Sequence, residues 1–264
     1  ESAPLEYVTG YEGTWLDLES EEAPGLCTIE LNCEEDIADE PKVDCSLRVR
    51  NADSWLEYDD IAGVELRGRS SYWAPKRQYS IELRTEEGEE QDVSLLGMPE
   101  ESDWVLNGNY FDRSLFRNTL GYDLFRGMGY AEHWAPASAF CTLELNGTPL
   151  GIYSLVERVK RADGRVRLWE DDGSGSSFLL KLDDVDSIYS NRLGYGGWKP
   201  VYPKPENIDD VQLAGILDFL DGWYEALESE APYAEDFGIW AYVDMDSWVD
   251  FVLLQELIRN NDAF

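Results

Sequence analysis

The feature of this sequence that most constrains its fold is the spacing of its apolar residues, which changes along the chain. Between residues 47 and 107 apolar side chains recur with a period close to two, as at Tyr79, Ile81 and Leu83. A period of two places alternate side chains on one face of a β-strand. This part of the chain is therefore predicted to form antiparallel strands.

The period lengthens to three or four over residues 112–127, which predicts an amphipathic helix. Asp112 can cap the start of this helix, and Gly127 can end it. Strands are predicted again over residues 138–157, where Asn-Gly at 146–147 separates two apolar runs. Asn-Gly in that position is a strong signal for a tight β-hairpin.

The last part of the sequence reads differently from the first. After a connector rich in Pro and Gly at residues 194–205, helical spacing returns over residues 213–227 and 248–258. The sequence therefore predicts an α+β, two-lobed layout. A β-rich first part with one embedded helix precedes an α-rich second part.

The charge of the chain excludes some classes of partner. Its 55 acidic and 21 basic side chains give a formal net charge of -34. Such a field repels phosphate backbones, so nucleic acid is not an expected partner. No apolar run approaches the ~20 residues that span a bilayer, so no membrane-spanning segment is expected. A large excess of acidic side chains with only six Lys is typical of proteins that work in a salty or Ca²⁺-rich medium. The alternative is that this composition is common in the lineage and has no functional meaning.

The four cysteines indicate a compartment rather than a metal site. Cys27, Cys33, Cys45 and Cys141 contain no Cys-x-x-Cys pair, and His133 is the single histidine, which argues against zinc. An even number of cysteines predicts disulfides and an oxidising environment. Three pairings are open, and Cys33 with Cys45 is favoured because it closes a short acidic loop. A chain that begins at Glu1 without a leader is expected of a mature exported protein.

Two short stretches interrupt the acidity. Residues 67–84 and 158–167 together hold 10 of the 21 cations. A positive region in so acidic a protein predicts a bound anion, although these cations could instead neutralise neighbouring carboxylates. In the first stretch Gly68 allows close backbone approach, hydroxyl groups such as that of Ser71 can cradle phosphate oxygens, and Lys76 supplies charge. Neither a Walker nor a Rossmann glycine motif is present.

An ordered series of short motifs resembles the spore-coat protein H (CotH) kinase family. It begins with Leu-Arg-Gly-Arg-Ser-Ser at 66–71, Pro-Lys-Arg at 75–77 and Tyr-Ser-Ile-Glu-Leu at 79–83. The resemblance covers about residues 47–264, and its motifs follow the family's order. The further matching segments are 95–99, 104–106, 112–118, 145–147, 151–153, Glu157 and, more weakly, 178–180, 202–203 and 260–262.

The resemblance implies an atypical protein-kinase-like fold. Residues 47–165 would form its β-rich N-terminal lobe, and residues 166–264 would form an α-rich C-terminal lobe that continues beyond the given chain. Residues 1–46 would be an extension of strand and acidic loop. The implied activity is that of an exported kinase that uses ATP with Mg²⁺ or Mn²⁺. It would transfer the γ-phosphoryl group to Ser or Thr of a secreted or cell-surface protein.

The resemblance also assigns roles to individual residues. The segment from Arg67 to Ser71 would cover the phosphates, and Lys76 would contact them, with Arg77 as a rival. Asp262 resembles the catalytic Asp that orients the acceptor hydroxyl, although a frayed helix end is the alternative. The implied nucleotide-binding residues are Arg67, Gly68, Ser70, Ser71, Lys76, Arg117 and Glu157.

One departure from the family pattern leaves the activity open. The pattern continues after the catalytic Asp to a metal-binding Asn and a Trp-Asp-x-Asp segment, whereas this sequence stops at Phe264. Metal ligands are therefore expected beyond Phe264, and the chain is expected to be either a fragment or catalytically incomplete. The alternatives are a non-catalytic surface or adhesion module and, from the abundant Trp, Tyr and carboxylates, a carbohydrate-active protein.

Overall fold

The computed structural model describes residues 25–128, 133–170, 172–183, 187–192, 196–234 and 238–260. These residues contain ten β-strands and three α-helices. The strands are β1 (Cys27–Cys33), β2 (Val43–Arg50), β3 (Leu56–Arg67), β4 (Gln78–Arg84), β5 (Asp103–Asn107), β6 (Ser138–Leu145), β7 (Thr148–Glu157), β8 (Leu179–Asp183), β9 (Tyr189–Ser190) and β10 (Gly197–Tyr202). The helices are α1 (Arg117–Gly127), α2 (Asp210–Glu228) and α3 (Met245–Ile258).

The first seven strands form a closed barrel in the order β1-β2-β3-β4-β5-β7-β6. Strands β1 to β5 are consecutive antiparallel neighbours, and β6 with β7 forms an antiparallel hairpin. The hairpin turn is Asn146-Gly147, with φ values of 50° and 75°, as the Asn-Gly signal predicted. A parallel pairing of β1 with β6 closes the barrel. It joins residues as distant as Thr28 and Thr142, which are 114 positions apart.

Alternate side chains of the strands fill the barrel interior. Ile29 and Leu31 of β1 and Ile81 and Leu83 of β4 are at most 1% exposed. Trp104 of β5 is fully buried, and its indole nitrogen donates a hydrogen bond to a backbone carbonyl 2.9 Å away. Burial of each such apolar side chain contributes about 1.5–3 kcal/mol, so the barrel is held together as a packed core.

A disulfide joins the first two strands. Cys33 of β1 and Cys45 of β2 are direct partners in the antiparallel register, and their Cα atoms lie 4.3 Å apart. The bond closes a loop over a sequence separation of 12 residues. The pairing favoured from the sequence is confirmed.

Helix α1 follows β5 and starts later than the sequence suggested. The Asp112 carboxylate accepts hydrogen bonds from the backbone nitrogens of Ser114 and Arg117, at 3.0 and 2.9 Å. Leu115 between them has a φ of 66°, which is incompatible with a right-handed helix. The residues after Asp112 therefore form a turn, and the helix begins at Arg117 and ends at Gly127 as predicted.

The chain divides into two compact units. The described part of the first comprises residues 25–127 and 137–156, which hold the barrel and α1. The described part of the second comprises residue 128, residues 133–136 and those from 157 onward. It contains a three-stranded antiparallel sheet in the order β8-β10-β9, together with α2 and α3. No helix in the described ranges is long and apolar enough to cross a bilayer.

An aromatic cluster packs the second unit. The ring of Tyr224 in α2 is fully buried and stacks on Tyr189 of β9 at a centroid distance of 5.8 Å. The Trp198 indole nitrogen in β10 donates a hydrogen bond to the Tyr224 hydroxyl at 3.0 Å. That hydroxyl in turn donates to Asn191 Oδ1 at 2.7 Å. These contacts fix the small sheet against α2.

The predicted two-lobed kinase-like fold with an α-rich C-terminal lobe is wrong. The described residues instead form a β-rich fold, in which a closed seven-stranded mixed barrel and a second sheet accompany three helices. The prediction failed first because the barrel closes through a parallel pairing that no local pattern reveals. It failed also because β10 lies within the Pro- and Gly-rich segment that was interpreted as a connector. Pro200 is accommodated there at a register irregularity.

Candidate functional site

The connection between β3 and β4 contains the loop that is predicted to cover the phosphates. Strand β3 ends at Arg67, a short 3-10 turn occupies Ser70–Trp73, and β4 begins at Gln78. Gly68 has a φ of 104°, and a Cβ atom at this position would collide with Ser71 Oγ. Glycine is thus required at this turn by backbone conformation and by close approach together.

Lys76 extends from this loop to strand β7. Its Nζ donates a hydrogen bond to the carbonyl oxygen of Ile152 and lies 4.6 Å from the centre of the Tyr153 ring. Burial lowers the pKa of the Lys76 ammonium, and the neighbouring Cys141 opposes this effect. Within the described ranges no carboxylate forms an ion pair with Lys76. A carbonyl dipole and an aromatic face therefore hold this cation, and its charge is not cancelled by a neighbouring carboxylate.

Arg77 lies beside Lys76 and has a different environment. Its guanidinium carbon is 5.3 Å from the centre of the Tyr72 ring. Its Nη1 atom is buried and has no hydrogen-bond partner among the described residues. A Cβ atom on Gly108 would approach the Arg77 carbonyl oxygen to 2.9 Å, so the chain leaving β5 packs tightly on this loop. The loop therefore holds two adjacent cations, Lys76 and Arg77.

A hydrogen-bond network at the end of β5 is not among the predicted features. Asn109 is 7% exposed, has a φ of 48°, and donates through Nδ2 to Ser154 Oγ at 3.0 Å. Asn118 Nδ2 in α1 lies 3.5 Å from Asn109 Oδ1. The network links the end of β5 to β7 and α1. The signal that could have indicated it is Asn-Gly-Asn at residues 107–109, which ends a predicted strand.

The other predicted site residues lie in other settings. Arg117 is exposed, and its Nε is 3.6 Å from Asp112 Oδ1. Glu157 at the end of β7 forms an ion pair with Arg165, and the two side chains are only 3% and 0% exposed. No contact joins Arg117 to Lys76 in the part of the chain that the structure describes. Asp262 lies outside the described residues.

Two cations of the second cationic stretch, Arg161 and Arg165, contact other groups of the same chain. Arg161 Nε donates to the Leu168 carbonyl oxygen at 3.1 Å, and its guanidinium lies 4.7 Å from the Tyr202 ring centre. Arg165 neutralises Glu157 as described above. The alternative of internal neutralisation is therefore correct for Arg165, whereas Arg161 contacts a carbonyl oxygen and an aromatic ring.

The family model described as "CotH kinase protein" matches residues 64–264 of the chain. The match covers well over half of the sequence, and the chain belongs to the CotH kinase family. The resemblance inferred from the motifs is thereby confirmed. No curated protein matches the chain. The loop at 67–77 and Lys76 fall inside the matched residues, whereas β1 and β2 precede them.

Family membership suggests the use of ATP and a divalent metal ion. The described residues suit the polyphosphate of ATP better than they suit the metal ion. Lys76 and Arg77 carry positive charge that suits a polyphosphate, and backbone N–H groups near Gly68 are of the type that can donate hydrogen bonds to phosphate oxygens. A divalent ion such as Mg²⁺ requires one or two carboxylates in addition to phosphate oxygens. No group of three or more His, Cys, Asp or Glu side chains in the described ranges is arranged to hold a metal ion. The metal set is therefore not provided by these residues.

Proposed function

We propose that this protein is an exported kinase of the CotH type. It transfers the γ-phosphoryl group of ATP to Ser or Thr of a secreted or cell-surface protein, with Mg²⁺ or Mn²⁺ as the metal ion. The observation that carries the proposal is Lys76, a half-buried cation within the family match that pairs with no carboxylate among the described residues. The Cys33–Cys45 disulfide supports export, because such bonds persist in oxidising compartments.

The proposed roles follow from charge and position. The backbone from Arg67 to Ser71 covers the phosphates, and the Lys76 ammonium attracts them. Two unit charges 4 Å apart near a protein surface interact by about 4 kcal/mol. In a chain with a net charge of -34, loss of this cation would weaken the binding of a phosphate far more than loss of a distant one. Asp262 is proposed to orient the acceptor hydroxyl.

Nucleotide-dependent thermal unfolding tests the binding step. We expect millimolar ATP with Mg²⁺ or Mn²⁺ to raise the melting temperature of the wild-type protein, since a ligand at 100 times its Kd adds about 2.7 kcal/mol. Lys76→Met should abolish most of that increase. Lys204→Met is the matched control, because it also removes one positive charge, and Lys204 is exposed and lies in the second unit.

Two outcomes would count against the proposal. Melting curves of the wild-type protein that do not respond to ATP with either metal ion would favour a non-catalytic surface module. A comparable loss of response in Lys204→Met would reduce the role of Lys76 to net charge. The catalytic step is tested separately with labelled ATP and a protein acceptor. Undiminished label transfer by Asp262→Ala would exclude Asp262 as the orienting residue.

A further inference from the structure

Two cysteines lie side by side on the strand pair that closes the barrel. Cys27 begins β1, Cys141 lies within β6, and the two are direct partners in the parallel register. Both are free thiols in the structure. We infer that Cys27 and Cys141 are the site of a second disulfide, which fastens the first strand of the barrel to the strand that closes it.

Both side chains point to the same side of the sheet. Residues two apart on a strand share a face, so Cys27 shares the face of Ile29 and Leu31, which are 0% and 1% exposed. Cys141 is itself fully buried, and Leu143 on the same face of β6 is 1% exposed. The two thiols therefore both face the barrel interior.

The backbone separation suits a disulfide. Neighbouring strands lie about 4.8 Å apart, and disulfides are formed between Cα atoms about 4.4–6.8 Å apart. The same barrel provides an internal comparison in Cys33 and Cys45, which are also direct cross-strand partners and are bonded with Cα atoms 4.3 Å apart. Cys27 and Cys141 could therefore be joined without moving the strands.

The reaction requires an oxidant of the small-disulfide class, such as oxidised glutathione. Cys27 is half-buried and meets the oxidant first, whereas Cys141 is buried. The Cys27 sulfur attacks the small disulfide and releases one thiol, which takes up the Cys27 proton. The Cys141 sulfur then attacks the mixed disulfide, forms the Cys27–Cys141 bond and releases a second thiol. Two protein thiols and one small disulfide thus yield one protein disulfide and two small thiols.

The environment of the thiols indicates when the bond is made. Burial raises the pKa of Cys141 to about 12, and burial together with the charge of Glu57 raises the pKa of Cys27. Because the thiolate is the reactive form, oxidation in the closed barrel is slow at neutral pH. We therefore expect the bond to form during folding, as β1 and β6 pair and while the oxidant still reaches Cys27.

Thiol counting tests the inference directly. The protein is refolded in a glutathione redox buffer, denatured without reductant, and titrated with a thiol reagent. We expect no free thiol, and a non-reduced digest should contain one cross-linked peptide pair that includes Cys27 and Cys141. Two reactive thiols, with a cross-link found only between Cys33 and Cys45, would overturn the inference.

Variants separate this bond from the other. Cys33→Ser with Cys45→Ser is the matched control, in which the Cys27–Cys141 peptide pair should persist. Cys27→Ser should leave one free thiol and lower the melting temperature in non-reducing buffer on the order of 10 °C, because a long loop is no longer closed. Cys27 is chosen because it is less buried than Cys141. Equal melting temperatures of Cys27→Ser and the oxidised wild type would contradict the inference.

Discussion

The buried ion pair between Glu157 and Arg165 offers the sharpest test of what this structure says about the predicted site. The sequence assigned Glu157 to the nucleotide, whereas the structure places its carboxylate against the guanidinium of Arg165, with side-chain exposures of 3% and 0%. Glu157→Gln keeps the shape of the side chain and removes its charge. Arg165 keeps its buried charge and loses the negative charge of Glu157.

The expected cost follows from that burial. Removal of one partner of a buried ion pair costs about 3–5 kcal/mol, which is a large part of the ~5–15 kcal/mol by which a domain is stable. Urea unfolding followed by Trp fluorescence measures it. With a urea dependence near 2 kcal/mol per M, the midpoint should fall by about 1.5–2.5 M.

A double-mutant cycle supplies the control. Arg165→Met should destabilise the protein by a similar amount, and the double variant Glu157→Gln with Arg165→Met should cost clearly less than the sum of the two single changes. Strict additivity, or a cost below about 1 kcal/mol for Glu157→Gln, would refute the structural reasoning. If Glu157→Gln kept full stability yet lost the thermal response to ATP, Glu157 would instead be a nucleotide ligand.

Two further predictions concern the barrel. Burial disfavours the charged form of Glu82, but hydrogen bonds from Lys42 and Arg84 outweigh this effect and lower its pKa below the ordinary value of 4.5. The ionised Glu82 carboxylate therefore stabilises the fold above pH 4.5, and this stabilisation is lost as the pH falls through the lowered pKa. Glu82→Gln should lower the free energy of unfolding, measured in urea, by about 1 kcal/mol at pH 7 and by progressively less in acid. A chain that begins at residue 51 lacks β1 and β2. It should lose the cooperative melting transition of the full chain and should be degraded faster by a protease. A sharp transition in the shorter chain would show that the barrel does not need its first two strands.

Local signals in the sequence predicted local structure well. The Asn146-Gly147 turn is imposed by two residues that tolerate a positive φ, and α1 ends at Gly127 as predicted. The predicted start at Asp112 is wrong, because the residues after Asp112 form a turn and the helix begins at Arg117. The Cys33–Cys45 pairing was favoured because only twelve positions separate the two cysteines. In each case the interacting groups are close in sequence, so the pattern of residues contains the information.

The closure of the barrel and the strand β10 could not be predicted in this way. No pattern within β1 or β6 specifies that they pair across 114 positions, because both strands have the same alternation as any half-buried strand. The helical spacing of α2 and α3 was visible, and it outweighed a strand that contains Pro200. An α-rich lobe was therefore predicted where a small sheet also exists.

The site shows the same limit. The family motif drew attention to Lys76, but its contacts with Ile152 and Tyr153 bring together residues that are more than seventy positions apart. Glu157 was chosen by its place in the motif series. The nearby Arg165 was counted as part of a positive region because a sequence does not reveal which cation a carboxylate will neutralise.

The parallel closure between β1 and β6 has a consequence for the order in which the chain is made. A ribosome adds about 5–20 residues per second, so β1 to β5 exist for several seconds before β6 and β7 follow some thirty to fifty residues later. During that time the nascent sheet has two unpaired edges, of the kind that recruit other chains. Residues 1–107 contain 28 acidic and 8 basic side chains, and this excess of 20 negative charges repels similarly acidic chains at this stage. The acidity of the sequence therefore protects the unfinished barrel during synthesis as well as the finished one.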